Sequence, residues 1–82
     1  MIKIFVLFFA GARDIVGHSR LEIEIPKASS IGQLREILLA RFPRLENLAS
    51  RAAFAVNESF ALPDKVLFEN DEVAFLPPVS GG

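Results

Sequence analysis

The sequence contains no cysteine, no tryptophan and no tyrosine, and only one histidine and one methionine. Without cysteine there is no disulfide, no thiolate nucleophile and no thiolate metal site. That composition suits a reducing cytoplasm, where disulfides add nothing. The single histidine, His18, stands beside Gly17 in an expected turn, and Glu22 and Glu24 read as a solvated strand face. Glu69, Asp71 and Glu72 read as turn acids, so no nucleophile–base pair is assembled from side chains. A strong charge of either sign is also missing. The net charge is −1 with both signs interspersed, which argues against a nucleic-acid surface. Nor is there a membrane-length apolar run. The stretch Ile2 to Ala10 is broken by Lys3, is followed by Arg13-Asp14, and has no small-residue cleavage site. The expectation is a cytoplasmic protein whose partners are proteins, with no membrane, nucleic acid, bound metal or bound cofactor.

What is present is apolar surface: 51% of the 82 residues are hydrophobic, eight of them Phe. A chain of this length makes one domain and buries only about 60–65% of its unfolded surface. Ile2 to Ala10 reads as a strand covered on both faces. Gly11 and Gly17 bracket a polar connection through Arg13 and Asp14. Arg20 to Ile25 alternates, with Leu21, Ile23 and Ile25 on one side and Glu22 and Glu24 on the other, and Pro26 closes it. Ser30-Ile31-Gly32-Gln33 fits a capping box. Ile31, Leu34, Ile37, Leu38 and Phe42 then recur at helical spacing until Pro43 stops the helix.

Arg44 to Ser50 fits a further short helical turn, and Ala53 to Val56 a short strand ending at Asn57-Glu58. Phe60 to Phe68 reads as irregular, interrupted by Pro63-Asp64, with a short strand expected at Val66 to Phe68. Asn70-Asp71 makes a tight turn into a last strand, Glu72 to Leu76. One main helix covers only one face of a sheet. The order therefore predicts an α+β, ubiquitin-like β-grasp fold, a mixed sheet of four to five strands with the last strand parallel to the first at its centre. Residues 1–76 form the domain and 77–82 an extended tail.

That tail, Pro77-Pro78-Val79-Ser80-Gly81-Gly82, is the most unusual segment. Two prolines fix φ and remove two amide donors, so the chain leaves the sheet stiff and extended. The two glycines carry no Cβ and suit a narrow channel. Six extended residues reach roughly 20 Å. A carboxylate at such a tip can be activated as an acyl-adenylate by a partner that binds ATP. A frayed end is the bland alternative.

The residues from Lys3 to Ala10, the helix ending in Phe42-Pro43, Ala55-Val56-Asn57 and the stretch from Asn70 to Gly82 together resemble the small-subunit family of molybdopterin synthase. The resemblance covers the whole chain. One departure is Asn70, where the family commonly has Gly; Asn tolerates a left-handed backbone. The resemblance implies that an E1-like enzyme uses ATP to adenylate Gly82. Sulfur then replaces AMP to give a thiocarboxylate. The tail, with Pro77 and Pro78 aiming it and Val79, Ser80 and Gly81 giving clearance, enters the large subunit of molybdopterin synthase and donates sulfur to the pyranopterin precursor. A heterotetramer on a dimeric large subunit is implied as well. A ubiquitin-like modifier, a carrier for thiamine or tRNA thiolation, and a passive module are the competing functions.

On the first strand Ile2, Ile4, Val6 and Phe8 share one face and Lys3, Phe5, Leu7 and Phe9 the other. Lys3 marks the second face as the more open. On the last strand Val73 and Phe75 oppose Ala74 and Leu76. Phe9, Leu76 and Phe60 are expected to form an exposed apolar docking patch beside the tail exit, and the resemblance implies the same three positions. The alternative is that residues 60–68 fold over that face and bury it.

Overall fold

The computed structural model describes residues 1–78. Strand β1 (Ile2–Phe8) pairs antiparallel with β2 (Arg20–Ile25) and parallel with β5 (Glu72–Leu76). Strand β3 (Ala53–Val56) flanks β5 on its other side, and β4 (Ser59–Ala61) forms the edge. The sheet order is β2-β1-β5-β3-β4. This is the β-grasp arrangement expected, with the last strand at the centre. Alternation sorts each strand by face. Ile4, Val6, Phe8, Ile23, Ile25, Phe54, Val56, Val73 and Phe75 are all buried on the helix side. Phe75 meets Phe54 edge-on at 5.4 Å between ring centroids and Phe8 at 6.1 Å, which locks β1, β5 and β3 together.

The main helix, α2 (Ile31–Arg41), buries Ile31, Leu34 and Leu38 on that core and half-buries Ile37. Its capping box forms as read: Ser30 Oγ accepts from the Gln33 N–H at 3.2 Å, and Gln33 Oε1 from the Ser30 N–H at 2.8 Å. The next free amides are met by the loop after β4, through Ile31 N–H to Lys65 O (2.9 Å) and Gly32 N–H to Pro63 O (2.8 Å). A Cβ on Gly32 would lie 3.4 Å from that Pro63 carbonyl, an ordinary van der Waals contact. After the helix come a 3-10 turn, Pro43–Leu45, and the short α3 (Glu46–Ala49), as expected.

Three local expectations are corrected. The first is the connection after β1. The strand ends at Phe8, and Ala10–Val16 is a helix, α1, rather than a polar linker. Ala12 and Val16, four residues apart, both drop into the core, and Gly17 closes the helix at φ 85° with its N–H on Arg13 O. Phe9 precedes it and offers no capping oxygen, so the usual start signal is missing.

The second correction concerns the short strand, which lies at Ser59–Ala61 and not at 66–68. Val66 makes only an isolated bridge with Ser30, while Leu67 is buried. The third concerns the sheet's second face. Lys3, Phe5 and Leu7 are half-buried there, so β1 is fully covered on one side only.

The β3–β4 hairpin turns through Asn57 and Glu58, whose φ values of 49° and 72° define the left-handed pair favoured in two-residue hairpins. Glutamate at the second position works against its own Cβ. Glu58→Gly is therefore expected to stabilise the domain by about 0.5–1 kcal/mol, since relief of that strain outweighs the added backbone freedom. Thermal unfolding would show it as a rise of several degrees; an unchanged or lower midpoint would contradict this account of the turn.

Candidate functional site

The site is built from the exit of β5. That strand enters the sheet through a turn at Phe68–Asp71 which is tied on two sides. Asn70, at φ 67°, sends its N–H to Lys3 O at 2.7 Å, and Asp71 O accepts from the Phe5 N–H at 2.9 Å. Asn57 donates from Nδ2 to Asp71 Oδ1 (3.1 Å) and accepts the Glu72 N–H on Oδ1 (3.0 Å). Asp71 Oδ2 caps the Phe68 N–H at 2.8 Å. These bonds join both central turns and hold β5 in register, because a slip by one residue would turn Val73 and Phe75 out of the core. The direction in which the chain leaves is therefore set at the strand's start.

At its far end Leu76 pairs with Ala53 and Phe75 with Phe8. Pro77, half-buried, and Pro78, exposed, follow directly and end the ladder. Val79, Ser80, Gly81 and Gly82 lie outside the described residues.

The structure brings the three expected docking residues to the open face. Phe60 is 82% exposed and Phe9 45% exposed, while Leu76 is half-buried. Phe8 pairs with Phe75, and the next residue on each chain is Phe9, just past the end of β1, and Leu76, the last of β5. Phe60 pairs with Ala55, which pairs with Ala74, which pairs with Leu7. One row thus crosses four strands with two alanines in its middle, and Ala53 lies beside Leu76 in the next row. The small residues leave a low floor between the larger side chains.

The alternative in which residues 60–68 close over this face does not occur. That segment runs along the start of α2 on the other side, through Ile31–Lys65, Gly32–Pro63 and Leu67–Ser29 backbone bonds. Ala53, Ala55 and Ala74 were not among the expected site residues. Their signal was alanine at successive open-face positions of strands, where it is otherwise depleted.

His18 is exposed in its turn, and Glu22 and Glu24 are exposed on β2. Among the described residues no group of three or more His, Asp or Glu side chains is placed to hold a metal, and no helix is long and apolar enough to cross a membrane. The arrangement is a central strand tied at its start, an open apolar face, and two prolines where the strand leaves the sheet.

A family model described as the ThiS family matches residues 6–82. The chain belongs to the ThiS family. This ThiS-family chain is 39% identical over 83 residues to the molybdopterin synthase sulfur carrier subunit of Mycobacterium tuberculosis, and the match covers all of both chains. Its fold is similar to the putative molybdopterin converting factor subunit 1 of Pyrococcus furiosus, with a TM-score of 0.87 and 26% identity over 96% of this chain and 100% of that one. It is also similar to a chain in the complex of subunits 1 and 2 of molybdopterin-converting factor from Helicobacter pylori. There the TM-score is 0.70 with 26% identity, over 99% of this chain and all of the other.

Proposed function

We propose that this protein is the sulfur carrier subunit of molybdopterin synthase, acting through the carboxylate of Gly82. The observation that carries the reading is the course of β5: the central strand, clamped at its start, runs out past an open apolar face straight into Pro77-Pro78. Full-length similarity to the mycobacterial sulfur carrier subunit supports the same reading. The similarity to one chain of the Helicobacter pylori complex supports a large subunit as partner.

In this reading an E1-like enzyme binds ATP, and the Gly82 carboxylate attacks the α-phosphate with loss of pyrophosphate. A sulfur nucleophile then displaces AMP from the acyl-adenylate and leaves a thiocarboxylate. The tail enters the large subunit, with Ser80 and Gly81 passing where larger side chains would clash. There the thiocarboxylate sulfur displaces an oxygen substituent from an electrophilic carbon of the pyranopterin precursor. Water then cleaves the acyl–sulfur bond, leaving the sulfur on the precursor and restoring the Gly82 carboxylate. The chain supplies the reacting group but no catalytic side chain, and is a cosubstrate held inside an enzyme complex. Its work is placed in the cytoplasm, where ATP is available.

Intact-mass analysis after incubation with the activating enzyme, ATP and a sulfur donor tests this. The expected result is a gain equal to the exchange of one oxygen for sulfur. Adducts of high mass would instead identify a protein modifier, and an unchanged mass would identify a passive module.

A further inference from the structure

We propose that Arg20 is a charged docking contact at the border of the apolar face, placed to pair with a carboxylate on the protein that receives the tail. The inference rests on the docking reading of that face. Arg20 pairs with Leu7 across β2 and β1, so it terminates the row that continues through Ala74 and Ala55 to Phe60. The row therefore spans all five strands, with an exposed aromatic at one end and a guanidinium at the other. The remaining charged open-face positions on β1, β2 and β5 — Lys3, Glu22, Glu24 and Glu72 — lie farther from the tail exit, next to or beyond Phe5.

The guanidinium is held rather than swinging free. Its central carbon stands 4.1 Å from the Phe5 ring centroid, well within the range of a cation–π contact. The guanidinium also forms a long, exposed ion pair with Glu72, whose Oε2 lies 3.9 Å from Nη2 and so beyond hydrogen-bond distance, which leaves the planar N–H donors without a hydrogen bond to that carboxylate. The two side chains are 54% and 42% exposed. A pre-positioned Arg with donors to spare at the edge of an apolar floor matches a carboxylate in a two-pronged geometry. The acids Glu22 and Glu72 nearby disfavour a nucleic acid or an anionic membrane, whose phosphates they would repel as a field. A single carboxylate carries less charge than a run of phosphates and can displace Glu72 from its long contact with the guanidinium. A border charge of this kind acts chiefly on encounter and orientation.

The test is association with the intact large subunit, followed by stopped flow at low and high salt. Arg20→Glu is expected to slow association by about tenfold at low salt, with the gap narrowing as salt rises. Arg20→Lys, which keeps the charge, is expected to stay within about twofold of the unaltered protein. Arg20→Gln, which keeps most of the bulk, should lose the salt dependence while its circular dichroism stays the same. If Arg20→Glu fails to fold, the salt slope of Arg20→Gln decides the matter. A slope equal to that of the unaltered protein overturns the proposal. Phe9→Asp separates the two layers of inference. Lost binding in Phe9→Asp with unchanged association in Arg20→Glu would overturn the Arg20 contact alone. Unchanged binding in both would overturn the docking face itself.

Discussion

Deletion of Gly82 is expected to abolish sulfur transfer while leaving the domain as stable as before. The deleted chain still ends in a glycine carboxylate, so the chemistry of the tip is preserved and only its reach changes. One residue of extended chain is about 3.5 Å. An active site tolerates a displacement of about 1 Å only at a cost on the order of a hundredfold in rate. The tip would therefore stop short of the adenylating site and of the precursor alike. The support is untouched, because Pro77 and Pro78 still follow Leu76 and the core residues all lie between Ile4 and Phe75. Intact mass after activation and product formation with the large subunit give the two readouts. Retained transfer would remove the reason for assigning the chemistry to the tail. A lowered melting temperature would show that the tail also supports the fold.

The second large effect is expected at Phe9. Phe9→Asp should weaken binding to the large subunit by about 2–4 kcal/mol, or roughly 30- to 1000-fold in Kd. Two terms act together: an aromatic anchor is lost, and a carboxylate must be dehydrated as the partner closes over the apolar floor of Ala53, Ala55 and Ala74. Stability should hold or rise by about 0.5–1 kcal/mol, since Asp at this N-cap position supplies the capping oxygen that Phe9 lacks. Phe9 is 45% exposed, lies outside the core cluster, and serves as an N-cap residue with no side-chain hydrogen bond to lose. Calorimetric titration against the large subunit, with thermal unfolding in parallel, distinguishes the cases. Wild-type affinity would remove Phe9 from the interface, and an unfolded variant would place it in the core. Because Phe9 also starts α1, the unfolding control is essential to the interpretation.

How local each signal is explains which parts of the fold were legible in the sequence. Strand alternation at Arg20–Ile25 and the Ser30–Gln33 capping box depend on neighbours a few residues away, and both appear as expected. The same holds for the Asn70 turn, where a short polar side chain tolerates the left-handed backbone. The parallel pairing of β1 with β5 followed from counting elements: a single main helix can cover only one sheet face, which leaves few ways to arrange the strands.

The errors arose where local signals were weak and distant contacts decided. Ala10–Val16 carries a glycine and no cap, so its helix exists because Ala12 and Val16 find the core. Val66 has strand propensity, but it borders the start of α2, where the loop backbone is occupied in meeting the helix amides. Ser59–Ala61 became a strand because Asn57 and Glu58 fold back on β3.

The sequence by itself determined where the proposed reacting carboxylate of Gly82 stands, the two prolines Pro77-Pro78 ahead of it, and the pattern of apolar faces. These are properties of covalent structure and of side-chain period, and they need no partner segment to be read. Only the tertiary structure decided that residues 62–67 lie along α2 and leave the far face open. It also decided that Arg20, Leu7, Ala74, Ala55 and Phe60 fall in one row. The reason is register. Residues far apart in the chain become neighbours through the backbone ladder and the turn bonds that align it, and that alignment is a property of the whole sheet.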